Sequence, residues 1–386
     1  MPRYFRLIPL LIATLLLGAC SSIGYYAQSV GGHASLLQAA RPIDEVMADP
    51  ATPADVRDRL RQASAARRYA SDTLGLPDNS SYTRYADLKR PFVVWNVYAT
   101  PELSLRLKQS CFPVVGCLDY RGFYSEADAR GLAKDLKQQG WEVTVGGVPA
   151  YSTLGWYADP LVNTLIRYPA GEVARLIFHE LAHQTVYAKN DTMFNESFAT
   201  TVEEVGMEHW LDEPENRHLK AQYMTFADRK RDFVALLLDT RKRLEAVYHE
   251  DTPEAKKARP PTHPTPQGLT EQEVDTRRLG KAQVLADLRV RYEALKRDKW
   301  GGYAGYDAWF NGDIDNARFA SVGTYHQWVP ALRAMVDQCA SCKTGNLRDF
   351  LDQARILADQ SAAERRRRLV AATPGTTRLT SAGAAN

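Results

Sequence analysis

No apolar run in this chain reaches the ~20 residues that a membrane-spanning helix needs. The run from Leu7 to Ala19 falls well short, which counts against an uncleaved transmembrane anchor. Charge of one sign is scarce too: 49 Lys and Arg stand against 46 Asp and Glu, a net of +3 over 386 residues. No basic stripe interleaved with aromatics occurs, so nucleic acid is not an implied partner. Arg365 to Arg368 is a short basic run; with the small, polar tail from Ala371 to Asn386 it reads as a solvated helix end followed by a frayed terminus. The chain has no internal repeat. Histidine is sparse, at 8 residues, which gives weight to two of them that stand four positions apart.

Those two lie in His179-Glu180-Leu181-Ala182-His183. Residues at i and i+4 share one helix face, so both imidazoles reach a single metal ion, while the glutamate beside the first histidine points into the same cleft without ligating. The preceding segment Gly171 to Phe178, after Pro169, has the spacing of an amphipathic helix. A third ligand is offered by Glu196 in Asn195-Glu196-Ser197-Phe198-Ala199, on a second apolar-periodic segment that a helix hairpin brings back to the first. Two imidazoles, one carboxylate and an open position make a catalytic zinc site, one ion per chain. Glu203, two turns after Glu196, shares its face and orients a ligand histidine or replaces Glu196; Asn195 and Thr200 are further supports of the ligands.

The residues His179-Glu180-x-x-His183 and Asn195-Glu196-x-Phe198-Ala199 resemble the gluzincins, zinc peptidases with two histidines and a downstream glutamate. Over about Tyr120 to Tyr187, Phe194 to Gly206 and Asn316 to Pro330, the chain resembles a bacterial family of predicted aminopeptidases. Two features depart from the better-known gluzincins: the spacer between His183 and Glu196 is shorter, and the Gly-Ala-Met-Glu-Asn exopeptidase motif is absent. Metzincin organisation is excluded, because Val186 and Lys189 stand where that pattern demands Gly and a third His. The resemblance implies an oxyanion donor from the C-terminal region. Tyr325 is the first choice and His326 the second, with a packed aromatic as the alternative role for Tyr325.

Arg3 and Arg6 precede the Leu7–Ala19 run, and Leu17-Gly18-Ala19-Cys20 resembles a bacterial lipobox, in which Cys20 is lipidated. Ser21-Ser22 after that cysteine implies sorting to the outer membrane of a Gram-negative cell, with the enzyme on its periplasmic face. Setting Cys20 aside leaves Cys111, Cys117, Cys339 and Cys342, an even number suited to an oxidising compartment. Local pairing of Cys111 with Cys117 and of Cys339 with Cys342 is the simplest of the possible connectivities; a four-cysteine zinc knuckle competes, although its usual spacers are shorter than that between Cys111 and Cys117.

The fold class is α+β: a small zincin-like sheet with active-site helices, and a mainly α-helical C-terminal subdomain. The expected divisions are a signal peptide over 1–19, a helical segment over 20–90, the catalytic region over 91–215, a helical subdomain over 216–360 and a flexible tail over 361–386. Helical spacing runs over Tyr25–Ala48 and Pro53–Leu74; strands are expected at Phe92–Ala99 and Glu142–Val145, with a helix capped by Ser125 between them. Gly146 to Thr153 is the candidate edge for an extended substrate, through Gly147, Ala150 and Tyr151, against the alternative of a plain glycine turn. Long helices follow at Lys220–His249 and Glu271–Lys299 around a proline-rich break, Asp251–Gly268, and a last one at Asp315–Asp337 holds Pro330 inside it or at its end.

The function these residues support is hydrolysis of a peptide bond by metal-activated water, with Glu180 as base, acting on peptide substrates. Aminopeptidase specificity rests on the resemblance; it needs an acid for the substrate's α-ammonium group, and Glu142, Asp159 and Glu172 are the candidates. The competing readings are a zinc endopeptidase or oligopeptidase and a non-catalytic envelope lipoprotein stapled by zinc, against which Glu180 stands.

Overall fold

The computed structural model describes residues 8–112, 116–150, 153, 155–252, 259–265, 267–320, 322 and 328–373. Within them the chain is α+β, with helices predominating over small sheets. A helix, Ile8–Ala39, stops ahead of Pro42, so the expected Tyr25–Ala48 helix is split into that one and a short Ile43–Ala48. Helix Ala54–Asp72 starts right after Pro53. Proline fits there because its missing N–H falls among the orphan donors of a first turn. Among the described residues, no helix is long and apolar enough to cross a membrane.

The sheet that matters for the site is built on Val94–Thr100, which pairs antiparallel with Arg121–Phe123 on one side and with Glu142–Val148 on the other. Alternation gives it two faces. Trp95, Val97, Ala99, Phe123 and Val143 pack against Ala129, Ala133 and Leu136 of helix Glu126–Gln138, whose N-terminus Ser125 caps through a bond accepted from the Asp128 N–H. Asn96 and Tyr98 lie on the opposite face. A smaller sheet joins Arg41–Pro42, Arg84–Ala86 and Leu161–Val162, and Ser110–Phe112 pairs with Gly116–Leu118 around the Cys111–Cys117 disulfide. Cys339 and Cys342 form a second disulfide.

The main core surrounds helices Ala170–His183 and Thr192–Asp212 with Leu60, Ile177, Phe178, Phe198 and Val202, and takes in Leu332, Phe350, Leu351 and Leu369 from the C-terminal helices. A second core joins the long helices Arg217–Tyr248 and Glu271–Ala294 through Leu237, Leu244 and Leu288, together with Trp300 and Phe319. Helices Val329–Gln338 and Arg348–Ala358 thus pack into the main core, with the helices that carry His179, His183 and Glu196. Pro330 sits in the first turn of Val329–Gln338, not inside or at the end of a longer helix, because only there does its missing N–H cost nothing. Where a solvated end and a flexible tail are expected, Ala362–Ala372 is a helix with Arg365 and Leu369 buried.

Candidate active site

Helix Ala170–His183 buries Val173, Ile177, Phe178 and Leu181 on one face and turns His179 and His183 toward the neighbouring helix. The two helices approach closely where Gly206 faces Phe178: a Cβ at 206 would lie 2.8 Å from Leu74 Cδ1 and 2.9 Å from the Phe178 ring. Any larger residue would force the Leu74 side chain and the Phe178 ring to move. The turn between the helices is fixed from both ends. Asn195 accepts from the Ala188 N–H at 2.7 Å and donates to the Ala188 carbonyl at 2.9 Å, and Asp191 accepts from the Phe194 N–H at 3.1 Å to cap the second helix. Asn195 therefore ties the hairpin turn together through the Ala188 backbone, directly ahead of Glu196.

This packing sets Glu196, in the first turns of Thr192–Asp212, against both rings. The Nε2 atoms of His179 and His183 face each other at 3.1 Å, and the Glu196 carboxylate lies 3.5 Å from the first and 3.7 Å from the second. One donor atom from each of the three residues falls within 4.8 Å of the others. Three donor atoms gathered this closely could hold a metal ion. The mixed nitrogen and oxygen set suits zinc.

Behind His179 a chain of buried charges runs away from the cleft. Glu203 Oε2 is 2.9 Å from His179 Nδ1, out of line for a linear hydrogen bond but close enough for strong attraction. Arg175 also contacts the Glu203 carboxylate, and its Nε is 3.0 Å from each Glu172 oxygen. Glu203 thus addresses the far nitrogen of His179 while Glu196 addresses the near one. Burial alone would raise Glu203, yet Arg175 and His179 outweigh it and hold the carboxyl at about 2. Burial would likewise lower His179, but Glu203, Glu196 and Glu180 lift it to about 10, whereas burial and the His179 charge depress His183 to about 4. Glu180 goes the other way: burial raises it to about 7, with Glu196 and Asp159 adding to the rise and His179 opposing it.

The remaining expected residues fall in several places. Gly147 lies in strand Glu142–Val148 opposite Trp95, and a Cβ there would sit 2.2 Å from the Phe92 ring, so packing against that ring requires glycine at 147. Ala150 is half-buried against the main core beside Tyr82 and Asp159. Tyr151, Tyr325 and His326 lie outside the described residues, as does the side chain of Cys20. Among the candidate ammonium binders, Glu142 is engaged by Lys281 and by the Asn316 N–H, and Glu172 by Arg175. Asp159 accepts through Oδ2 from both the backbone and the hydroxyl of Thr153.

The sequence reading missed Arg175, which carries no motif signal, and the tyrosines Tyr98 and Tyr120. Their rings are 5.6 Å apart, burial raises both hydroxyls, and Glu196 is among the charges that raise them further. The only signal in the sequence is the alternation that sends Tyr98 to the face opposite Trp95 and Val97.

No curated protein and no solved structure matches the chain. One family model does, across 24–263 and 268–369, a span that takes in every helix and strand of the site just described. By that match the chain belongs to the family described as "Putative aminopeptidase".

Proposed function

We propose that this family member is a zinc-dependent aminopeptidase of the gluzincin type, with His179, His183 and Glu196 as the metal ligands and Glu180 as the catalytic base. The observation that carries the reading is the convergence of both Nε2 atoms and the Glu196 carboxylate, with Glu180 half-buried beside them. Zinc bound there supplies Lewis-acid polarisation of the substrate carbonyl and of water.

The chain's own residues do the rest. Glu180, half-buried beside the ligand residues, takes a proton from the attacking water and returns it to the leaving amine. Glu203 and Arg175 hold the His179 ring by its outer nitrogen, so that the inner one faces the cleft. Tyr325, with His326 as the alternative, is the proposed donor to the developing oxyanion; the Trp328 N–H that follows them donates to Ser197 Oγ at 3.2 Å, next to Glu196.

Attachment to the periplasmic face of the outer membrane through a lipidated Cys20 belongs to the same proposal. It is supported by the lipobox residues and by two disulfides in a chain whose remaining cysteines are all paired. Zinc content decides the ligand set: Glu196→Ala loses the ion and Glu180→Gln retains it, whereas full zinc occupancy in Glu196→Ala overturns the assignment.

A further inference from the structure

Away from the metal residues, a groove of about 630 Å³ runs between helix Glu126–Gln138 and strand Glu142–Val148. One wall carries Arg130, Lys134 and Lys137, one helical turn apart in succession; the floor is Val143, Thr144 and Val145; and Arg318 closes the far side. No carboxylate lines it. Arg130 pairs with Glu126 on its own helix, and Arg318 donates to neutral carbonyls, those of Trp309 and Asn311. Among the described residues, neither Lys134 nor Lys137 has a carboxylate at ion-pair distance, and both are exposed. Asp315 is the acid that feels Arg318 and Lys137, and it bonds back to the Arg318 N–H at 3.2 Å. The groove is therefore left positive.

Its floor is also an open edge. Strand Glu142–Val148 pairs with Val94–Thr100 on one side and with no described strand on the other. An edge offers a row of main-chain donors and acceptors to any extended chain laid beside it. A second copy of the same edge would bring Lys134 and Lys137 against their own duplicates, and like charges at a sheet edge deter such pairing.

We propose that this groove binds an extended acidic peptide segment, which adds to the sheet as a further strand beside Glu142–Val148 while its carboxylates meet Arg130, Lys134, Lys137 and Arg318. Main-chain pairing supplies the extended conformation, and the cations select the side chains. The groove lies along Val143–Val145, at the other end of the strand from the expected substrate edge that starts at Gly146, and none of His179, Glu180, His183 and Glu196 lines it, so its test reads binding without turnover.

The test is fluorescence anisotropy with the full-length protein and a short peptide alternating glutamate and valine, capped at its N-terminus by fluorescein so that no free amine is present. The expected result is saturable binding that weakens as salt is raised, and that weakens by about tenfold or more in Lys134→Glu/Lys137→Glu. A second peptide with prolines replacing alternate valines keeps its charge but loses strand donors, and it should bind the unaltered protein more weakly. Equal binding by the double variant would overturn the assignment of the groove. Equal binding of the proline peptide would overturn strand addition, and no binding of either peptide would overturn the proposal as a whole.

Discussion

Glu203 Oε2 stands 2.9 Å from Nδ1 of His179, on the side of the ring turned away from Glu196. On the proposed reading Glu203 is a positioning residue, which sets the nitrogen of His179 that faces the cleft, with Arg175 paired to Glu203 behind it. Removing it should leave the ligands present but loose. Glu203→Gln is expected to weaken zinc binding by about 10–100-fold, the usual cost of deleting such an outer partner. Titration against a competing chelator measures this, and an unchanged affinity would remove Glu203 from the site.

The same carboxylate makes the metal-free protein sensitive to acid. Its folded value, about 2, lies below the ordinary 4.5, so the stability it contributes is complete above 4.5 and is lost as pH falls toward 2. Urea midpoints of the metal-free protein should therefore drop across that window, and drop less in Glu203→Gln. A variant with the same pH dependence as the parent would show that the Arg175–Glu203 pair adds nothing.

Arg365 is buried on the opposite side of the hairpin. Its Nε donates to Asp191 Oδ2 at 2.8 Å, its guanidinium also reaches the carbonyls of Leu357, Ala358 and Gln360, and it lies over the Phe194 ring. Asp191→Ala removes the cap of the helix that carries Glu196 and strands that cation. The two losses together should cost about 2–4 kcal/mol in denaturant unfolding and weaken zinc binding as well. Loss of stability within a few tenths of a kcal/mol would show that the pair is incidental.

Phe198 is fully buried, stacked between Phe194 and Phe350. Phe198→Ala should destabilise the protein by about 3–5 kcal/mol, since it opens a cavity where the second metal helix meets a C-terminal helix. Equilibrium unfolding checks it, and a cost below about 1 kcal/mol would mean that the C-terminal helices add little to the main core.

Local rules made part of this legible. His179 and His183 share a face because helical spacing dictates it, and Pro169 and Ser125 sit at helix starts as their chemistry requires. Glu196 was within reach because a hairpin has few ways to close. What sequence could not show depends on tertiary contact. Arg175 looks like any surface arginine until Glu172 and Glu203 are seen on either side of it, and Arg365 looks solvated until Asp191 is found beneath it. The need for glycine at 147 is invisible until Phe92 is found packed against it. Periodicity names a helix face without naming its neighbour.

The most direct test of the central claim is mass spectrometry of a mixed peptide library incubated with the chain from Ser21 onward, with zinc content measured on the same sample and Glu180→Gln run alongside. The account predicts one zinc per chain in both proteins, and stepwise loss of single N-terminal residues that Glu180→Gln abolishes. Internal cuts instead would make the protein an endopeptidase. Trimming that survives in Glu180→Gln, or peptides left whole by a zinc-loaded protein, would contradict it.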